Sequence, residues 1–265
     1  RPIDQEIAGI VDLFYDLQLD RALEASDGLK KRHPGHPAGD FYRSVVFFER
    51  YLVENPRSSD TFKAYENANA ICLESARAYR LKDPATSELY LAAGYGFFSR
   101  ALATQRRYRE AISNAKQSLA HVKNAIKLEP ERDDAYLGLG MFNYFMSRVP
   151  VAAKPLVYMM VGGWGDRELG LSQLHRVADK GSAARMEARR VLAAIYASPK
   201  EKQWDKSEVF LAELMERYPH NPLYRLRRAY VAQARGRFDL ALELADPDGP
   251  WIENLSPSLR EKTRA

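Results

Sequence analysis

Apolar residues recur along this chain at three- and four-residue spacing almost from end to end, and alternating β-branched runs are few. That periodicity predicts amphipathic helices, each with one stripe to bury. From Asp4 to Leu17 the stripe is Ile7, Ile10, Val11, Phe14 and Leu17. Asp20 opens a second helix whose Ala22, Leu23 and Leu29 face the first, and His33-Pro34-Gly35 stops it. A third, Ala38 to Val53, is rich in rings (Phe41, Tyr42, Phe47, Phe48, Tyr51) and ends at Asn55-Pro56. Ser58-Ser59-Asp60 offer caps to a long fourth helix reaching about Lys82, before Asp83-Pro84. A fifth covers Thr86 to Gln105 and a sixth Tyr108 to Leu128. Helix starts follow at Ala135-Tyr136 and Gly165-Asp166, then helices over Ala183–Ala197, Gln203–Tyr218, Pro222–Ala234 and Phe238–Leu244. The tail from Asp246, with Pro247, Gly249, Pro250 and Pro257, reads as irregular. About twelve helices joined by short loops predict an all-α fold.

Five of the helix starts share a pattern, a large residue followed three positions later by a small one. They are Leu19 and Ala22, Tyr108 and Ala111, Arg167 and Gly170, Trp204 and Ser207, Phe238 and Ala241. The second helix of a hairpin crosses the first near its own start, and only a small side chain permits close approach there. Ser207 and Ala241 are 34 residues apart, and Gly170 and Ser207 are 37 apart. These spacings are those of a helical-hairpin repeat, with one short insertion. Ala111 and Gly170 are 59 apart, a repeat plus the apolar insertion Val149–Trp164. Helices three and four lack the small-residue junction and depart from the pattern.

Ala135-Tyr136-x-x-Leu139-Gly140 and Arg106-Arg107-Tyr108-Arg109-Glu110-Ala111 resemble the two halves of the tetratricopeptide consensus. The longer string is Ala135–Phe145 (AYLGLGMFNYF), an apolar Pro- and Lys-containing insert, Gly165–Leu171 (GDRELGL) and Glu187–Tyr196 (EARRVLAAIY). It resembles a subfamily of bacterial exported tetratricopeptide-repeat (TPR) proteins related to the eukaryotic tetratricopeptide-repeat thirty-nine group. The resemblance is good over residues 85–245 and loose before them. It implies a TPR-like α-α superhelix of about six hairpins, a scaffold that binds something, and it carries no catalytic residue over. The expected domain runs over 1–246, with 149–164 inserted within one hairpin and 247–265 as the tail.

Composition changes this picture little. The 265 residues, 46% of them hydrophobic, can bury a large core. Forty basic and 35 acidic residues leave +5, spread along the chain, which suits a solvated helical surface better than a nucleic-acid footprint. Cys72 is the only cysteine, so a disulfide within the chain and a cysteine zinc cluster are excluded. The apolar run Val149–Gly163 carries Pro150, Lys154 and Pro155 and falls short of a membrane span, so no transmembrane segment is expected. The chain starts at Arg1 rather than Met, so something before it was removed, either a cleaved export signal, as the resemblance to bacterial exported proteins implies, or residues trimmed otherwise. The expected location is extracytoplasmic, periplasmic or envelope-associated, with the cytoplasm as the alternative.

Candidate chemistry is thin. His33 and His36 bracket Pro34-Gly35 without a third ligand, which favours a solvated turn over a metal site. His121, His175 and His220 stand alone and read as ordinary surface or boundary residues. Asp133, Asp134 and Asp166 sit at helix starts, where carboxylates cap. No cofactor or metal site and no enzyme constellation emerges. The aromatics of the middle third carry more. On the TPR frame the concave face takes Leu137, Met141, Tyr144 and Phe145, and the positions of a carboxylate clamp are not filled with lysine and asparagine. Arg148, Tyr158, Trp164 and Tyr95 complete the candidate binding set. Asn143, in an apolar helix, needs a hydrogen-bond partner if buried. The insertion reads as a short helix over about 151–161 closing the groove, as a lid or apolar patch for a partner, or as a membrane-surface element, which its single basic residue Lys154 disfavours. The expected function is a non-catalytic scaffold for a protein or peptide, the alternative a carrier of a lipid or small apolar ligand under 149–164.

Overall fold

The stripes read from the sequence become helices with one buried edge. The structure, a computed structural model, describes residues 2–54, 59–150, 152, 158, 159, 163–254 and 260. Among these residues there are twelve α-helices and no strand. They are α1 (Pro2–Tyr15), α2 (Leu19–Arg32), α3 (Ala38–Glu54), α4 (Ser59–Ala78), α5 (Pro84–Thr104) and α6 (Tyr108–Leu128). The remainder are α7 (Tyr136–Ser147), α8 (Arg167–Lys180), α9 (Arg185–Tyr196), α10 (Trp204–Arg217), α11 (Pro222–Ala234) and α12 (Phe238–Ala245). The fold is all-α, its twelve helices packed in adjacent pairs as six hairpins, α1–α2 through α11–α12.

The five junctions marked by small residues share a backbone device. Leu17, Arg106, Gly165, Lys202 and Gly236 all have positive φ, between 51° and 75°. Each stands five residues before its small residue: Ala22, Ala111, Gly170, Ser207 and Ala241. A left-handed residue lets the chain leave one helix and enter an antiparallel neighbour within a few positions. At two of them the same closing bond is made. Arg107 N–H donates to Leu102 O at 2.9 Å, and Arg237 N–H to Ala232 O at 2.9 Å. Only two of the five positions are glycine, so the device is invisible to a search for glycine.

By contact density the chain divides into two compact units, Arg1–Phe14 with Leu19–Arg185, and Tyr15–Gln18 with Met186–Ala265. In the first, Phe48, Tyr51, Phe62, Tyr65, Ala101, Leu102 and Ala111 form one buried cluster. Here lies the explanation of the aberrant hairpin. The α3–α4 pair, lacking a small residue, meets through rings, with Phe48 on Tyr65 at 5.3 Å and Tyr51 on Phe62 at 5.7 Å. The first helices of neighbouring hairpins also meet through rings, Phe41 on Tyr90 at 5.2 Å and Phe48 on Phe97 at 5.2 Å. Serine hydroxyls sit where helices come close: Ser87 to Ala76 O (2.7 Å), Ser118 to Ala92 O (2.8 Å) and Ser99 to Ala111 O (2.8 Å).

In the second unit Ser207, fully buried, donates to Ala193 O at 2.8 Å, so the predicted junction there is a packed contact. The segment Tyr15–Gln18 is latched to it. Tyr15 donates to Glu187 Oε2 (2.7 Å), Asn221 Nδ2 to Tyr15 O (2.7 Å), and His220 N–H to Asp16 Oδ1 (2.9 Å). The tail is less irregular than its prolines suggest. Residues Pro250–Asn254 form a 3₁₀ turn that buries Trp251 and Ile252, and the Trp251 indole donates to Asp246 O at 3.0 Å.

Candidate functional site

The α7–α8 hairpin holds most of the candidate residues, and its geometry starts from two glycines. A Cβ on Gly140 would lie 3.1 Å from Gly170 O, and one on Gly170 would lie 2.9 Å from Gly140 O and 2.5 Å from Tyr144 N. The helices therefore cross backbone against backbone. One turn further on, Asn143 Nδ2 donates to Gln173 Oε1 at 2.8 Å, the partner that a buried asparagine requires. Gly165, at φ 67°, lies so close to α7 that a Cβ would stand 2.5 Å from Asn143 O. Asp166 then caps α8, accepting from Leu169 N–H at 2.9 Å.

This crossing sorts the aromatics. Tyr144 is 3% exposed, with Phe145 edge-on at 5.2 Å and the half-buried Arg148 guanidinium 5.5 Å from its ring. The TPR frame makes Tyr144 a contact residue; the approach of Gly170 to its backbone places it in the packing instead. Leu137 and Met141 are half-buried. Phe145, Tyr158, Met159 and Trp164 are exposed by 46, 45, 80 and 50%. Tyr158 and Trp164 nevertheless stack on each other, centroids 4.7 Å apart and planes 21° from parallel. The helix expected over 151–161 falls mostly outside the described residues.

Tyr95 belongs to a different arrangement. Half-buried on α5, it stacks on His121 of α6 at 5.6 Å and accepts from Arg77 of α4 at 2.6 Å. His121 Nδ1 lies 2.6 Å from Glu88 Oε2, and Asn124 and Arg80 also donate to that buried carboxylate. Burial raises the Glu88 pKa, but the bonds from His121, Asn124 and Arg80 outweigh it and leave it below the usual glutamate value. So His121 is a member of a polar bridge across three helices, not the isolated histidine that spacing suggests.

The other histidines and the aspartate pair also find partners beyond local sequence. His33 lies 2.8 Å from Glu6 of α1. His36 sits between the rings of Tyr79 (4.9 Å) and Tyr90 (5.9 Å) and accepts from Ala38 N–H, so this turn is packed and not simply solvated. His220 Nδ1 is 2.6 Å from Asp16 Oδ2. Asp133 pairs with Arg176 at 2.6 Å, and Arg176 also covers the Tyr136 ring at 3.9 Å. Asp134 caps, though not the helix it precedes. It accepts from the backbone of Ser182, Ala183 and Ala184 at the start of α9, at 2.8 to 3.2 Å. Among the described residues no three His, Cys, Asp or Glu side chains converge as a metal site would require. No helix among them is long and apolar enough to cross a membrane.

Six hairpins, five of them closed by a recurrent left-handed turn ahead of a small residue, define a helical-repeat protein of the tetratricopeptide class. The chain belongs to the Iml2/Tetratricopeptide repeat protein 39 family, whose sequence model matches residues 60–248. Among solved structures, a thermophilic TPR protein of Thermus thermophilus is similar at 19% identity and a TM-score of 0.46. That match covers 87% of this chain and 99% of that one. No curated protein matches in sequence.

Proposed function

We propose that this chain is a non-catalytic scaffold that holds a protein or peptide against the α7–α8 hairpin. The observation that carries the reading is the Tyr158–Trp164 stack, two large rings kept in order while about half exposed. An ordered aromatic pair loses little conformational freedom on binding and offers a large contact area, which is how interface anchors work. Met159 and Phe145 are further exposed apolar side chains of this region, Phe145 packs on Tyr144, which Arg148 covers, and Leu137 and Met141 are half-buried on the same helix. Tyr95 takes part through its place in the α4–α6 bridge.

The test is crosslinking pulldown with Trp164→Ala and Phe145→Ala beside the unaltered chain. Specific captured species should fall several-fold in both variants while circular dichroism in the helical band stays unchanged. Capture that is equal in all three would refute the α7–α8 surface as the contact. Native mass spectrometry before and after organic extraction checks the carrier alternative. A discrete extra mass removed by extraction would replace the scaffold reading with a lipid or small-ligand carrier.

A further inference from the structure

We propose that the turn Tyr15–Gln18 is a clasp, a conformational device that makes α1 and the helices α9–α11 open together instead of one by one. In a stack of helical hairpins each unit contacts only its neighbours, and a terminal hairpin opens at low cost. Here four residues around the α1–α2 turn belong to the second compact unit, although Phe14 before them and Leu19 after them belong to the first. The bonds that hold them join residues 172 to 206 apart in sequence. Nearest-neighbour stacking alone does not make such bonds.

The seat of the turn is polar, buried and fully matched to it. Tyr15, Asp16, Glu187 and Asn221 are all buried. The Tyr15 hydroxyl donates to Glu187 Oε2 at 2.7 Å, and Arg190 holds both oxygens of that carboxylate at 2.7 and 2.8 Å. Burial, and then the Glu187 charge, push the Tyr15 pKa well above its ordinary value, so the hydroxyl remains a donor. Asp16 divides its carboxylate: Oδ1 accepts from His220 N–H at 2.9 Å, and Oδ2 lies 2.6 Å from His220 Nδ1. Asn221 uses both ends of its amide. Its Oδ1 accepts from Leu223 N–H at 3.1 Å and caps α11, while Nδ2 donates to Tyr15 O at 2.7 Å. The Tyr15 ring packs on Tyr218 at 5.7 Å, and Tyr218 on Tyr224 at 6.2 Å.

Two features turn this seat into a coupling. Withdrawing the turn would leave the buried Asn221 amide without its acceptor and the buried Glu187 carboxylate without one of its donors. Groups stranded in this way cost more than the lost bonds themselves contribute. The turn also has no slack. Tyr15 is the last residue of α1 and Leu19 the first of α2, with Leu17 at φ 57° between them. Opening of α9–α11 must therefore release the turn, and the release passes directly into the end of α1.

The clasp is independent of the α7–α8 reading, and hydrogen exchange read by mass spectrometry on the full chain tests it. With urea raised in steps below the unfolding transition, peptides of α1 and of α9–α11 should converge on one rate, as members of one cooperative unit do. Ile195→Val trims a buried side chain of α9 that takes no part in the bonds of the clasp. It should speed exchange about fivefold in α9–α11 and equally in α1. Asn221→Asp keeps the acceptor that caps α11 and removes the donor to Tyr15 O. In that background Ile195→Val should still speed α9–α11 but leave α1 unchanged. Acceleration confined to α9–α11 while the clasp is intact overturns the proposal. So does equal acceleration in α5 and α6, which would make the turn an ordinary part of one global core. If Asn221→Asp does not fold, the urea series and Ile195→Val decide without it, and separate rates for α1 and α9–α11 at every concentration overturn the proposal.

Discussion

Gly140 and Gly170 face each other across the α7–α8 crossing so closely that a Cβ on either would stand within 3.1 Å of the other's carbonyl oxygen. The contact is reciprocal, so neither glycine can be replaced by letting a flexible side chain move aside. At Gly170 the added atom would meet backbone alone, and at Gly140 backbone together with the Leu174 and Gln173 side chains. The small residue required at a hairpin crossing is here taken to its limit on both helices.

Gly170→Ala should therefore cost about 3 kcal/mol, as overpacking against rigid backbone does. Gly9→Ala is the control, because nothing lies within 4 Å of a Cβ there. Within α1 it should stabilise by about 0.5 to 1 kcal/mol through helix propensity. Urea unfolding of the two variants reads both effects, and similar values for both would refute the crossing as the cause.

The recurrent left-handed turn gives a pair of opposite outcomes. Lys202 has φ 51°, a conformation that costs a side-chain-bearing residue about 1 to 2 kcal/mol. Lys202→Gly relieves this at some entropic cost, for a net gain of about 0.5 kcal/mol. Gly236 has φ 75° and nothing within 4 Å, so Gly236→Ala should lose about 1 kcal/mol from conformation alone. Thermal midpoints that shift in opposite directions would verify the shared turn.

His36 should make stability depend on pH. Burial, then the His33 charge, lowers its folded pKa below the ordinary 6.5, with Asp83 opposing and Lys82 and Arg132 assisting. Between the folded and unfolded values the unfolded chain binds more protons. The stabilisation is therefore complete above about pH 6.5 and is lost as pH falls through 6.5 toward the lowered value. His36→Phe, which keeps a ring between Tyr79 and Tyr90, should flatten unfolding midpoints measured from about pH 7.5 down to about 5.

Glu88 acts in a more acidic window. Its folded pKa lies below the ordinary 4.5, so its contribution is complete above that value and disappears as pH drops through it. Glu88→Gln, by weakening the bonds from Arg80, His121 and Asn124, should cost about 2 kcal/mol near neutral pH. The loss should shrink on acidification toward about pH 3, a trend that an uncharged packing role would not produce.

Helix positions were legible because their signals are local. Tyr108–Leu128 and Pro222–Ala234 are the observed helices residue for residue, since Pro, Gly and apolar period act within a few positions. The small-residue register was legible for the same reason, and each of the five positions follows a left-handed residue by five. The candidate site was legible only in outline. Tyr144 and Phe145 are neighbours of similar character, yet one is buried and the other exposed. The choice belongs to α8, on the far side of the insertion, through Gly170. The same holds for His121, whose partner is on another helix, and for Asp134, which caps α9 instead of α7.

The chain by itself thus determined an all-helical repeat with its hairpins and their register, because periodicity, breakers and side-chain size are written residue by residue. Tertiary structure decided which aromatics form core and which form surface, and which carboxylates pair or cap. Each of those depends on a neighbour from another helix, and a helical stripe specifies only that a face is buried, not what it is buried against.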